Sequence, residues 1–550
     1  MDTNKKNNFM VQGAILGIAS ILVRLIGLFY RIPLTNILGD KGNAYYGVAF
    51  QVYNILLLLS SYSLPLAVSK MVSARMALKQ YKNTRKMFIC AIFFGLIVGI
   101  AAFCILFFGA DFFANLMGYP QSAIPLRVLA FGLVILSVLG TLRGYFQGLG
   151  NMVPTAFSNI VEQIVNAFVS VIAASILFNM GASVAEGTFA FENVQESYGA
   201  AGGTLGTVAG AFCALIFMLI LILLQKKRND ALVAKDNTNE SEPVKKIIKI
   251  LVVTIVPVIL STAIYNLTSV IDQGIFGNVM LAKGMDSDLK DSLMGMYTGK
   301  YYLIISIPIA LASALASSLI PSVVSSRTKG DTKGVIQKVE SAIKLTVLVS
   351  FPCTVGIGIL AKPIINLLFP SSDDPEKVAL MLLAGCLTVV FYSISTITNS
   401  ILQGIDHMRL PVIHSAISLA AHVIVLFALL YLTDLDIFSV IISDMFFAIL
   451  MCVLNAFSLK KYLTYRQEIK NTFIIPALCS IIMGVIAFVL NYIFDLFIGR
   501  SFMVLVTIII AALVYAVLLL ALKAIGEEEL KSIPGGRTIT RYAKRFKLIR

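Results

Sequence analysis

Long apolar segments follow one another along nearly the whole chain, near 9–36, 44–69, 87–109, 122–149, 156–179, 199–225, 247–276, 296–325, 341–369, 377–402, 411–432, 437–459, 473–495 and 502–524. A helix that crosses a bilayer needs about 20 such residues, so the pattern predicts an all-α polytopic membrane protein of about fourteen transmembrane helices. The gaps between segments alternate in charge. One set holds Arg75, Lys79, Lys82, Arg85 and Lys86, then Lys226, Lys227, Arg228, Lys245, Lys246 and Lys249. The same set continues with Arg327, Lys329, Lys333 and Lys338, then Lys460, Lys461, Arg466 and Lys470. The other set holds Glu186, Glu192 and Glu196, then Asp373, Asp374 and Glu376, then Asp434 and Asp436. Cytoplasmic loops retain Lys and Arg. The alternation therefore predicts a multi-pass protein of the bacterial cytoplasmic membrane with both termini cytoplasmic.

Composition agrees with that reading. The 550 residues are 58% hydrophobic and only 13% charged, where a soluble domain carries roughly 25% charged residues. The net charge of +15 sits in loops and tail, beside anionic headgroups, so nucleic acid is not the expected partner. The seven cysteines fall in apolar runs without a CxxC or metal spacing, and read as small buried hydrophobes.

Five regions are expected: an N-terminal lobe of six spans over 1–226, a flexible cytoplasmic linker over 227–246, and a C-terminal lobe of six spans over 247–460. Two further spans over 461–525 and a basic tail over 526–550 complete the chain. An internal repeat supports the two lobes. Leu64-Pro65 and Ile320-Pro321, Tyr45-Tyr46 and Tyr301-Tyr302, and Gln147-Gly148 and Gln403-Gly404 are all offset by 256 residues. Six helices per copy is an even number, so both copies insert with the same orientation.

An ionisable side chain within a span is costly and generally faces a cavity or a partner. Arg24 and Arg31 lie within about 20° of each other on one helix face, with Gly27 between them. Arg24 stands roughly 22 Å into the segment, too deep for easy snorkelling. The pair reads as a cationic stripe for an anionic substrate, or as partners for acids on other helices. Lys300 opens the eighth segment as an interfacial anchor or a further positive lining group. Glu162 reads as a partner for an arginine, while Asp272 has no preferred role among pairing, proton and Na+ binding. No G-x-x-x-x-G-K-[ST] loop is present, so ATP hydrolysis is not expected. His407, His414 and His422 lack HExxH spacing, and Asp434-Leu435-Asp436 reads as loop chemistry. The chain is expected to be a transporter, not an enzyme, with no cofactor and no metal assigned.

Ser20–Gly27, Asn36–Gly39, Leu142–Thr155, Ser158–Gln163 and the closing Lys531–Gly536 resemble polysaccharide-biosynthesis membrane proteins of the MurJ and stage V sporulation protein B type. These belong to the multidrug/oligosaccharidyl-lipid/polysaccharide exporter superfamily. The resemblance implies a two-lobed lipid II flippase working by alternating access. It implies pyrophosphate contacts from Arg24, from Arg31 after a one-residue shift, and from Lys300. The second-helix basic residue of many relatives has no counterpart, and Gln51 and Asn54 occupy that region. A sodium site in some relatives uses the seventh, eleventh and twelfth helices, where Asp272, Ser415 and Asp444 stand here. Na+, H+ and the membrane potential stay open as the driving force. The implied partners are a lipid-linked pyrophosphate glycan, membrane lipids, and the cell-wall synthesis or division machinery. Flipping of another lipid-linked glycan (capsule, teichuronic acid, spore cortex) and cation-coupled drug antiport are the alternatives.

Overall fold

The computed structural model describes residues 3–187, 193–236, 241–317, 320–370, 372–463, 465, 467–497, 502–522 and 524. Every regular element among them is helical. Apolar surroundings require this, because a backbone without water must satisfy its own N–H and C=O groups. The chain divides into two compact units, Met1–Gly299 and Lys300–Arg550.

The first unit contains α1 (Thr3–Leu57), α2 (Leu64–Ala77), α3 (Tyr81–Phe108), α4 (Ala110–Leu116) and α5 (Ala123–Gly148). It continues with α6 (Val153–Gly187), α7 (Val194–Ala234), α8 (Val244–Ala282) and α9 (Ser287–Gly295). Within α1 the path breaks at Gly39, whose φ of 64° and ψ of −176° suit a residue without a Cβ. Asn43 stabilises the break by donating its Nδ2 protons to the carbonyls of Thr35 (2.9 Å) and Gly39 (2.6 Å).

The most extensive helix packing is between α6 and α7. A Cβ added at Gly206 would lie 2.5 Å from the Ser170 nitrogen and 2.7 Å from the Asn166 carbonyl oxygen. At Gly202 and Gly210 it would overlap the carbonyls of Ala173 and Glu162. Glycines four residues apart along α7 thus let the two backbones touch, the small-residue packing that holds helices together in lipid.

The second unit contains α10 (Tyr302–Ser317), α11 (Ile320–Thr328), α12 (Thr332–Ile359), α13 (Ala361–Leu368) and α14 (Pro375–Gly385). It closes with α15 (Thr388–Gly404), α16 (Arg409–Leu432), α17 (Phe438–Leu463), α18 (Ile475–Phe497) and α19 (Met503–Ala521). The sequence repeat has a counterpart in the packing. Gly148 at the end of α5 lies against Val72 of α2, and Gly404 at the end of α15 lies against Ile320 and Val324 of α11. The pairings α3–α5 and α6–α7 likewise recur as α12–α15 and α16–α17.

Ten helices are long and apolar enough to cross a membrane, or eleven if the pair Pro375–Gly385 and Thr388–Gly404, bent by 46°, is one span. That is short of the fourteen expected among the described residues. Part of the difference is physical: Leu22–Ala77 counts once although the Gly39 break reverses its path. The seventh expected span is helical as α8, and the eighth is divided between α10, of only 16 residues, and α11.

The stretch expected to be a flexible linker is largely docked. Helix α7 continues to Ala234, and the chain beyond it is tied to the turn joining α2 and α3. Arg75 pairs with Glu242, the Lys82 N–H donates to Asp236 (2.6 Å), and the Glu242 N–H donates to Asn83 Oδ1 (3.1 Å). The segment's mixed charge, which looked like solvation, matches this basic turn. Residues 237–240, Glu192 and the tail from 525 lie outside the described residues.

At the opposite, acidic end, α9 is fastened by a buried ionic cluster. The Lys290 ammonium donates to the Gly118 carbonyl (2.5 Å), lies 3.0 Å from Asp291 Oδ1 and sits 4.3 Å from the centre of the Tyr119 ring. Tyr45 donates to the other Asp291 oxygen at 2.7 Å. Burial pushes the Asp291 carboxyl up against the pull of Lys290. On the rim, the Lys41 ammonium holds the Asp288 carboxyl down. Lys290 is 1% exposed, so Lys290→Ala strands a carboxylate in the interior. The expected loss is roughly 3–5 kcal/mol, read as a lowered midpoint of thermal unfolding in detergent. The double replacement Lys290→Met with Asp291→Leu recovers most of it; equal losses for the two variants would remove the ion pair from this account.

Candidate functional site

The cationic stripe on α1 is built by the break at Gly39. Residues 31 and 46 would stand about 22 Å apart on a straight helix. Instead the Arg31 guanidinium lies 4.5 Å from the centre of the Tyr46 ring, because the chain reverses between them. Tyr46 is fully buried. The space it occupies exists because α7 carries Gly203, where a Cβ would stand 3.1 Å from the ring. A cation–π contact of this kind contributes about 0.5–2 kcal/mol. It holds the charged group against the ring.

Gly27 sets the direction of the stripe. A Cβ there would lie 3.1 Å from Gln163 Nε2 of α6. One turn further along, Asn166 Nδ2 donates to the Tyr30 hydroxyl at 3.3 Å. Ser170, another turn along, donates to the Gly203 carbonyl at 2.7 Å. The polar edge of α6 therefore faces the Gly27 side of α1. Arg24, about 60° round from Gly27 on the same helix, has an exposed side chain, while that of Arg31 is half-buried. Exposure within an apolar span puts Arg24 on the open side of this packing.

Glu162 is the partner of an arginine, as expected of it, and the arginine is Arg143 of α5. Their N–O distance is 2.6 Å, and Ser158 Oγ accepts from the same guanidinium at 2.8 and 3.0 Å. This joins the two chemical features of the 143–163 stretch into one partly buried polar cluster. Gln51 is half-buried and Asn54 exposed, one turn apart in the second half of α1. Asp272 is buried in α8, with Thr268 one turn before it.

The remaining expected residues belong to the second unit. Lys300 is 3% exposed, and its ammonium donates to Ser372 Oγ at 2.6 Å. It lies in the π-helical turn Met296–Tyr301, a geometry frequent at functional sites. Asp444 is buried in α17. Beside it, His422 of α16 donates its Nδ1 proton to the Ser443 carbonyl (2.8 Å). A carbonyl only accepts, so Nδ1 carries the proton in this contact.

Sequence reasoning missed three features. Tyr46 had no signal beyond its place in the repeat. The glycine stripe of α7 was visible as Gly202, Gly206 and Gly210 at four-residue spacing. A buried network in the second unit was foreshadowed only by His414. Its Nδ1 lies 2.7 Å from Asn455 Oδ1, and Asn455 Nδ2 donates to Thr398 and Asn399, each at 2.9 Å.

Comparison with known proteins bears on the family and the fold. A family model described as polysaccharide biosynthesis protein matches residues 10–329. The chain is 26% identical over 528 residues to the lipid II flippase MurJ of Bacillus subtilis, covering 92% of this chain and 93% of that protein. It is 22% identical over 543 residues to stage V sporulation protein B of the same organism, covering 98% and 100%. Among solved structures, a lipid II flippase MurJ in an inward closed conformation superposes with a TM-score of 0.66 at 17% identity, covering 92% of this chain and 98% of that one. An inward-facing MATE-family multidrug transporter superposes with a TM-score of 0.62 at 15% identity, covering 80% and 95%. The fold is thus the one shared by MurJ and MATE transporters.

Proposed function

This chain belongs to the polysaccharide biosynthesis protein family, and we propose that it is a flippase for a lipid-linked glycan carried on a pyrophosphate, with the peptidoglycan precursor lipid II as its first substrate. The observation that carries this reading is the Arg24–Gly27–Arg31 stripe, with the Arg31 guanidinium 4.5 Å from the centre of the Tyr46 ring. A pyrophosphate needs cations whose donors are already oriented, and arginine binds phosphate oxygens bidentately. Gly27 lets the Gln163 amide of α6 approach beside the two guanidinium groups. Within the second unit, Lys300 is a separate candidate for a phosphate contact. A carrier of organic cations would instead be expected to place carboxylates on such a stripe.

In this reading the protein works in the bacterial cytoplasmic membrane with both termini inside, and passes the headgroup across by alternating access. Na+ or H+ bound near Asp272 or Asp444, or the membrane potential, drives the cycle. The full-length match to a protein named for a sporulation stage supports a second reading, in which the glycan is a different lipid-linked precursor.

Depletion of the protein in a strain without a redundant flippase tests the first reading. Lipid II accessible to a probe outside the cell is expected to fall severalfold while total lipid II rises. Unchanged external lipid II in that strain overturns it, and accumulation of another lipid-linked glycan in its place favours the second.

A further inference from the structure

We propose that a crevice at the Lys/Arg-rich end of the first unit binds an anionic phospholipid through its monoanionic phosphodiester headgroup. The crevice encloses about 250 Å³, some eight water volumes, between the last turn of α2, the start of α3 and the ends of α5 and α7. Its floor is apolar: Phe88 lies over Tyr145 with ring centres 4.2 Å apart, flanked by Met76 and Leu149. Ile89 and Leu223 flank this floor with 44% and 68% of their surfaces exposed, on segments that read as membrane-spanning. The rim is polar and carries Arg85, Lys226, Asn229 and Asp230.

An apolar floor beneath a basic rim, placed where apolar runs give way to Lys and Arg, matches the two chemistries of one phospholipid. Basic pockets between spanning helices at such boundaries take acidic headgroups. The charge of the rim narrows the class. Arg85 Nη1 pairs with Asp230 Oδ1 at 3.0 Å, which orients the guanidinium and leaves its other N–H donors for a second acceptor. Two cations against one carboxylate leave a single net positive charge. A phosphodiester carries one negative charge and is matched, whereas a dianionic phosphomonoester meets the Asp230 carboxylate with excess charge. None of these residues belongs to the Arg24–Arg31 stripe, so loss of lipid binding here is separable from loss of transport.

The test uses the full-length protein in detergent, with thermal unfolding followed as lipid is added. Phosphatidylglycerol is expected to raise the midpoint in a saturable manner, with phosphatidylcholine giving no shift and phosphatidic acid a smaller one. Each rim cation removed is expected to weaken the effect about fivefold, so R85Q/K226Q needs about twenty-five times more phosphatidylglycerol. Both side chains are exposed, and the variant is expected to unfold like the parent in phosphatidylcholine. Ile89→Trp, which fills the mouth, is expected to abolish the shift with the cations in place. Equal shifts in parent and R85Q/K226Q, equal shifts with phosphatidylglycerol and phosphatidylcholine, or no shift at all in the parent overturns the proposal. A retained shift in Ile89→Trp overturns its placement in the crevice, and a larger shift with phosphatidic acid overturns the charge match.

Discussion

Arg31→Ala is expected to slow transfer of a pyrophosphate-linked lipid by roughly ten- to hundredfold, the factor that follows from losing one charge-assisted contact of about 1.5–3 kcal/mol. Arg24→Ala is expected to do the same, and the double variant to be inactive. The geometry adds a sharper expectation for Arg31. Its guanidinium is oriented by the Tyr46 ring, 4.5 Å away, and Tyr46 is buried against Gly203. Tyr46→Phe keeps the ring face and is expected to retain most activity. Tyr46→Leu keeps an apolar side chain, removes the ring face, and is expected to lose a large part of what Arg31→Ala loses. The measurement is transfer of a fluorescent pyrophosphate-linked lipid in proteoliposomes, supported by complementation of a flippase-depleted strain. Parental rates in both arginine variants would remove the stripe from the transport site. Equal losses in Tyr46→Phe and Tyr46→Leu would mean that Tyr46 matters for packing and not for orienting Arg31.

Gly206→Leu is expected to cost at least about 3 kcal/mol, the upper range for forcing side-chain volume into a packed interior. The reason is that, besides the Ser170 hydroxyl, the nearest neighbours of the new Cβ are backbone atoms. The Ser170 nitrogen stands 2.5 Å away and the Asn166 carbonyl oxygen 2.7 Å away. Neither atom can yield by changing rotamer, so α6 and α7 must separate along their length. Gly206→Ala is expected to show a smaller part of the same effect, and a leucine at Gly356 of α12, where no heavy atom lies within 4 Å of the added Cβ, almost none. Folded yield and unfolding midpoint in detergent report the ranking. A Gly206→Leu protein as stable as the parent would contradict the close approach of the two helices.

Transport depends on this packing as well. The Asn166–Tyr30 hydrogen bond at 3.3 Å lies in the same layer as Gly27 and Gln163. Separating α6 from α7 therefore also disturbs the polar edge that α1 faces. Partial loss of transfer at temperatures where the variant is still folded is the expected signature of that link.

Some of the site was legible residue by residue. The shared face of Arg24, Gly27 and Arg31 followed from helical periodicity, and the role of Glu162 as an arginine's partner followed from the cost of a lone carboxylate in a span. The interruption around Gly39 was legible as the gap between the segments 9–36 and 44–69, but the meeting of Arg31 and Tyr46 across it was not. Lys300 opens an apolar run, and neither its burial nor its hydrogen bond to Ser372, 72 residues away, can be read from that position. The segment after α7 was read as solvated because it is polar. Its partners Arg75, Lys82 and Asn83 are about 150 residues or more earlier in the chain.

The sequence by itself determined that this chain is helical and threaded repeatedly through a bilayer, and on which helix face its deepest cations lie. Those properties come from the exchange of each segment with water or lipid, and from the fixed pitch of a helix, both of which are local. Only the tertiary structure decided that Tyr46 lies against Arg31, that α6 and α7 meet backbone to backbone, and that the polar segment after α7 is docked. Each of these needs the chain to reverse or two helices to approach closely. The free energy of such contacts belongs to pairs of distant residues, so no single segment carries it.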